Sequence, residues 1–399
     1  MKKAEQYPYL RKSLLGPWWK EANNECTIES VEEFELSMSK PAPPLRDQPP
    51  PPKAPPQPKR PPKPLIDGLL EAAIKFQEWK NSPPVSNPAP IPAPSPVKKP
   101  RVKPFDLQDI PNAMERIGWT MSARVQRKWF AGELNYANSD EGAIKGINQD
   151  GKPFPKSMID TTMFTLDWIL KFTRAKEKFD ELISEKLFNQ DAYKSLQQKF
   201  SRWKPSPYCV NAWKISGEDI HEHHRQFQYQ RNAVDSDFFS KLMMFAKGST
   251  KPNGIWMDDL YGALGGFSFY AAIDSFSYFR PRPGLTRLSI DGVSIYMRDA
   301  FTFHDRSAER GSQYLGHWNK TGFIIVPAAA AIGEISKSDS LVNPVSPGGT
   351  VSDDTVYYPV KNNDYRNWQM RHKQGGDLIF YSNRWRVPLR ESVVMEFNQ

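Results

Sequence analysis

The chain has 399 residues, 39% of them hydrophobic and 25% charged, with a net charge of +9. Residues 41–104 hold 22 of the 37 prolines and 11 basic against 4 acidic residues, so +7 of that charge sits there. The rest is close to neutral, which argues against a nucleic-acid groove in the folded part; two cysteines, Cys26 and Cys209, cannot build a disulfide framework or a cysteine zinc site.

Met1 to Glu21 shows no apolar run of signal-peptide length. The longest apolar run, Phe323 to Gly333, is broken by Pro327 and falls short of the roughly 20 residues that span a bilayer. The expectation is synthesis in the cytoplasm of the producing cell, with no transmembrane segment and no cleavable signal. Residues 1–40 read as a short N-terminal docking segment that contains Trp18 and Trp19.

Residues 41–104 read as a proline-rich basic linker, too poor in apolar surface to offset its ordering entropy and so disordered. Inside it, residues 65–80 (LIDGLLEAAIKFQEWK) form a short helix pattern with Leu69, Leu70 and Phe76 near one face. Such a helix either docks in another protein's groove or packs back on the domain.

The folded region opens at Phe105. Large apolar residues recur at helical spacing over 110–130 and 157–202, where Met163, Leu166, Ile169 and Leu170 form a stripe that Phe179, Leu182 and Ile183 continue. Asp235 and Ser236 are caps for a helix from Phe238 to Lys247. His221-Glu222-His223-His224 is the densest run of possible metal ligands, but it lacks the spacing of a metalloprotease helix and reads as a polar surface turn.

Beyond residue 265 the pattern turns to strands. Asp291-Gly292 lies between two alternating runs, TRLSI and VSIYM, and predicts a type I′ hairpin turn. Further strands are expected at 322–326, 355–360, 377–381 and 392–397. The order predicts an α+β fold: a helical part (105–264) packed on a mainly antiparallel β part (265–399), preceded by the tether. There is no Gly-rich phosphate loop and no nucleophile elbow.

The stretch after the hairpin, DAFTFHDRSAERGSQYLGHW, packs Asp299, His304, Asp305, Arg306, Glu309 and Arg310 into twelve positions. Acids beside a histidine and arginines can hold a divalent metal, here Mg, and a phosphate, with one group as general base. A salt-bridged surface loop has the same composition.

Residues 262–316 resemble the catalytic end of colicin M, a bacteriocin that cleaves the lipid-linked peptidoglycan precursor. The likeness rests on Ala263-Leu264-Gly265, Asp291-Gly292-Val293, Asp299-Ala300-Phe301-Thr302-Phe303 and Glu309-Arg310-Gly311. It implies a phosphodiesterase with Asp299 and Arg310 at its centre, Asp299 as the metal-holding acid, and Asp305, His304 and Glu309 in support. Phe301 stands at the family's tyrosine, Thr302 at its second acid and Glu309 near its histidine.

A second likeness spans more of the chain: Ile110-Pro111-x-x-Met114, Trp129-Phe130, Gln313 to Trp318, Asp364-Tyr365-Arg366-x-Trp368 and Gly375-Gly376-Asp377 with Tyr381-Ser382. These are similar to an uncharacterised bacterial family found beside genes for the type VI secretion spike. That resemblance implies an antibacterial effector, docked on a spike or carrier protein, neutralised in its owner by a cognate immunity protein, and acting in the periplasm of a target cell. The alternative it implies is a non-enzymatic adaptor between spike and toxin.

Overall fold

The computed structural model describes residues 10–12, 19–21, 28–31, 34–46, 102–201, 208–234, 258–305, 312–325, 343–347, 351–387 and 389–398. One compact unit comprises Met1–Arg46 with Val102–Gln399, and the description below is of that unit. The linker between, with its 65–80 helix pattern, and the helix expected over 238–247 lie outside the described residues.

In chain order come strands β1 (Leu10–Lys12), β2 (Trp19–Glu21) and β3 (Ile28–Ser30), then helices α1 (Ile110–Arg116), α2 (Thr120–Phe130) and α3 (Asp140–Lys145). Strand β4 (Ile159–Phe164) precedes α4 (Leu166–Ile169), α5 (Thr173–Glu181) and α6 (Gln190–Ser201). Then follow β5 (Cys209–Asn211), α7 (Ala212–Ile215), α8 (Ile220–Phe227), β6 (Gln228–Val234) and α9 (Asp259–Leu264). The β-rich part holds β7 (Phe267–Arg282), β8 (Leu285–Phe301), β9 (Tyr314–Asn319), β10 (Gly322–Ile325), β11 (Val345–Pro347) and β12 (Tyr358–Lys361). Helix α10 (Asn362–His372) and strands β13 (Leu378–Ser382), β14 (Trp385–Val387) and β15 (Val393–Asn398) close the chain.

The fold is α+β, as the element order predicts. Its spine is the long antiparallel ribbon of β7 and β8. Strands β13, β14 and β15 pair end to end along the outer edge of β8, while β6 and β5 do the same along β7. Strand β4 joins β13 in parallel, so the stretch from 159, read as helix, begins with a strand that carries Met163. A second sheet runs β12-β9-β10-β1-β2, which gives the N-terminal segment a partner within the domain.

The hairpin turn is not at Asp291-Gly292. It lies at Pro283-Gly284, where Gly284 has φ +80°, and β8 runs unbroken through Asp291 and Gly292. The Asp-Gly pair marks a bulge instead: Ser275 faces Gly292 and Phe276 faces Ile290, leaving Asp291 over. A compensating slip leaves Asp274 over on β7. Pairing with β7 on one side and with β13, β14 and β15 on the other keeps β8 extended through this pair, and this outweighs the local turn preference.

The core centres on Trp129, Phe130, Phe303, Tyr365 and Trp368, whose rings pack edge to face and, for Phe303 and Tyr365, stack at 3.7 Å. Arg366 grips the fully buried Asp377 through two bonds of 3.1 and 2.7 Å, and Trp129 Nε1 adds a third at 3.3 Å. A side chain at Gly376 would lie 2.6 Å from Met158 Sδ. The Trp-Phe, Asp-Tyr-Arg-x-Trp and Gly-Gly-Asp motifs are therefore one structural knot.

Residues 34–46 strap onto the domain. Ser37 Oγ and the Lys40 N–H donate to buried Asp106 at 2.8 and 3.1 Å, Gln374 Nε2 reaches Pro43 O at 2.7 Å, and Arg46 reaches Ser157 O at 2.6 Å. Phe34, Leu36 and Met38 pack on the core. The folded body thus takes in the end of the 1–40 segment and the start of the 41–104 segment.

Candidate functional site

A cleft of about 650 Å³ opens beside the C-terminal end of β8. Its walls divide by chemistry. Trp119, Leu264, Trp318 and Phe323 make one apolar part, while Arg231, Arg298, Asp299, His304 and Asp140 make a polar part. Helix α9 shapes the rim: Asp258 caps its first turn and holds Arg174 through bonds of 2.6 and 2.8 Å. Gly262 is needed there because a Cβ would sit 2.6 Å from the Trp119 ring. The Gly262-Ala263-Leu264-Gly265-Gly266 run is thus a packing element and a cleft wall.

Asp299 lies within β8, opposite Phe380 of β13, rather than past a strand end. It is 8% exposed. Burial pushes its carboxyl up to about 7, against the opposing pull of the Arg298 charge and the Ala300 N–H. A carboxyl that titrates near neutrality, on a cleft wall, is suited to move protons at physiological pH.

Arg298 points to the other face of the sheet, where helix α8 covers it. Its Nη2 donates to Ile144 O at 2.6 Å and its Nε to the Tyr381 hydroxyl at 3.3 Å. Tyr381 stands 3.0 Å from His221 Nδ1, and its oxygen accepts from Arg298 Nε. His224 Nδ1 meets the Tyr296 hydroxyl at 3.0 Å. Burial, with the Arg298 charge, lowers His221 and takes His224 down to about 2, so both rings are neutral. Tyr381 is pushed up to about 12, chiefly by burial, and stays a phenol.

The His221-Glu222-His223-His224 run is therefore not a surface turn. Its three histidines turn inward on α8, with His223 wholly buried 3.2 Å from Asp274 Oδ1, while Glu222 faces outward and pairs with Arg225. The signal was present in the spacing: Ile220, His223 and Phe227 fall on one helical face, and Asp219 caps the helix. Tyr381 enters the sequence reading only within the second family likeness, and Arg298 and Tyr296 carry no motif that sequence reading could single out.

The other site candidates separate. His304 lines the cleft with its Nε2 3.9 Å from Asp140 Oδ1. Asp305 does not join it: its Oδ1 accepts from the Gln313 N–H at 2.9 Å and from Asn362 Nδ2 at 3.0 Å, so it braces its loop to α10. Glu309, Arg310, Leu69, Leu70, Phe76 and Trp18 lie outside the described residues; Trp19 pairs with Lys12 between β2 and β1. Among the described residues no three His, Cys, Asp or Glu side chains converge on one point. No described helix is long and apolar enough to cross a membrane.

A sequence family described as a family of unknown function, DUF6402, matches residues 105–397. No curated protein matches the chain, and no solved structure does.

Proposed function

We propose, for a chain that belongs to the DUF6402 family of unknown function, that the cleft beside Asp299 is the active site of a hydrolase. The observation that carries this reading is the Asp299 carboxyl, buried on the cleft wall and titrating at about 7. As general base it takes a proton from an attacking water, while Arg298 and Arg231 supply positive charge to an anionic group. The apolar wall of Trp119, Leu264, Trp318 and Phe323 accepts the greasy end of the same molecule. An amphiphilic phosphodiester fits both ends, and the likeness to colicin M selects a lipid-linked peptidoglycan precursor. Thr302 lines the cleft where that family has a second acid, so Asp299 carries the proton transfer without it.

In this reading the protein is an antibacterial effector of a type VI system. The N-terminal segments, with Leu69, Leu70, Phe76, Trp18 and Trp19 as apolar anchors, dock on a spike or carrier protein. A cognate immunity protein protects the producer. The adaptor reading is favoured by one feature: Thr302 stands where the likeness to colicin M expects a second acid.

Expression of the full chain in a susceptible bacterium, with and without an added export signal, separates the two. Killing only after export supports the hydrolase, and no killing in either compartment supports the adaptor.

A further inference from the structure

The α8-covered face of the central sheet carries a second hollow, of about 170 Å³, displaced along β8 from the cleft. Trp213, Asp274, Ser275, Ser294, Arg384 and Arg386 line it. Its volume is well below the roughly 300–1,000 Å³ of sites for drug-sized ligands, so it has room for a small ion or headgroup only.

Both bulges of the β7–β8 ribbon lie at this hollow. The slip on β7 turns the Asp274 carboxylate inward, where Ser294 Oγ donates to it at 2.9 Å and Arg384 Nη1 pairs with it at 2.8 Å. The Arg384 guanidinium lies flat on Trp213, 3.4 Å from the ring centroid. Both groups meet Asp274 at Oδ1, and His223 Nε2 lies 3.2 Å from the same oxygen.

The slip on β8 places Gly292 beneath Arg386. A Cβ at Gly292 would stand 2.8 Å from Ser275 Oγ and 3.3 Å from Arg386 Nη2. The side chain of Arg386, on β14 opposite Ser294, has no hydrogen bond or ion pair with a described residue. Burial chiefly, and the Arg386 charge in addition, push the Arg384 pKa down. Two guanidinium groups thus line one hollow against a single carboxylate, which leaves one positive charge unmatched.

We propose that this hollow binds a phosphate group, free or as a monoester, with Arg386 as its principal donor and Arg384 as the stacked second. The fork geometry of arginine suits a phosphate's paired oxygens, and Ser275 offers a further hydroxyl. The site is separate from the Asp299 cleft and does not rest on the reading of that cleft.

The test is titration of the full chain with sodium phosphate, with glycerol phosphate and with sodium chloride at matched ionic strength. Tm and Trp213-sensitive fluorescence are the readouts. A saturable rise in Tm with phosphate, at a Kd of about 1 mM or below, is expected. It should be lost in Arg386→Gln and kept in Asp299→Asn. Arg386 is exposed and unpaired within the described fold, so its substitution should leave the unliganded Tm unchanged. Gly292→Ala, which fills the floor, should weaken binding in the same direction. An equal response to glycerol phosphate assigns the site to a headgroup, and a response to inorganic phosphate alone assigns it to the free ion. No response to either, a response equal to that of chloride, or the same response in Arg386→Gln overturns the proposal.

Discussion

Arg298 and Asp299 are consecutive on β8 and point to opposite faces of the sheet, yet both line the same cleft. Arg298 is held from behind by Tyr381 and Ile144 O, and Asp299 is held in the strand by its pairing with Phe380. A buried cation and a buried acid are thereby fixed by one ladder of backbone hydrogen bonds. Strand geometry sets their relation more firmly than a loop would.

The raised Asp299 pKa makes stability depend on pH. Its carboxyl titrates at about 7 in the fold and at roughly 3.9 in the unfolded chain. The fold favours the protonated form, so this contribution is fully present below pH 4 and is lost as pH rises toward 7. The loss is on the order of 4 kcal/mol. Asp299→Asn should flatten that slope, melting above the parent at pH 8 and near it at pH 4. Equal pH slopes in urea denaturation of both proteins would show that Asp299 is not a buried neutral acid.

Tyr381→Phe should cost about 1–3 kcal/mol, because Arg298 Nε and His221 Nδ1 both lose a buried partner. The proton NMR signal of His221 should shift, while that of His372, bonded to Met38 O at 2.9 Å, should not. Unchanged stability would mean that water replaces the hydroxyl.

The Arg366–Asp377 pair is structural. Arg366→Met leaves an uncompensated buried carboxylate and should destabilise by about 3–5 kcal/mol. Replacing both partners with apolar residues of similar volume should recover most of that loss. A double variant as unstable as the single one would contradict this account.

The strap at 34–46 should matter to folding. A fragment of residues 102–399 loses the Ser37 and Lys40 donors to buried Asp106 and the apolar cover of Phe34, Leu36 and Met38. Its denaturation midpoint should fall below that of a chain that keeps residues 28–46. Identical midpoints would make the strap a passive contact.

Much of the fold was legible because periodicity reports burial. The strands at 322–326, 377–381 and 392–397 and the α+β order follow from alternation and from the run of helices before them. Asp291-Gly292 misled because turn chemistry is local, whereas the continuity of β8 is supported by β14 and β15 far along the chain. Of the site, Asp299 and His304 were legible as chemistry beside a strand. The α8 histidines were misread because a polar run signals solvent unless its helical face is checked against Ile220 and Phe227. Arg298 and Tyr296 of β8 meet Tyr381 of β13 and the α8 histidines only in the folded chain, which no local pattern reports.

The central claim is that Asp299 acts as a general base in the cleft. The direct measurement is the rate of cleavage of a lipid-linked peptidoglycan precursor by the full chain across pH 5 to 9, beside that of Asp299→Asn. The account predicts a rate that rises through an apparent pKa of about 7 and falls by about a hundredfold or more in the variant, with folding intact. A correctly folded Asp299→Asn that keeps the parent's rate and pH profile would contradict it.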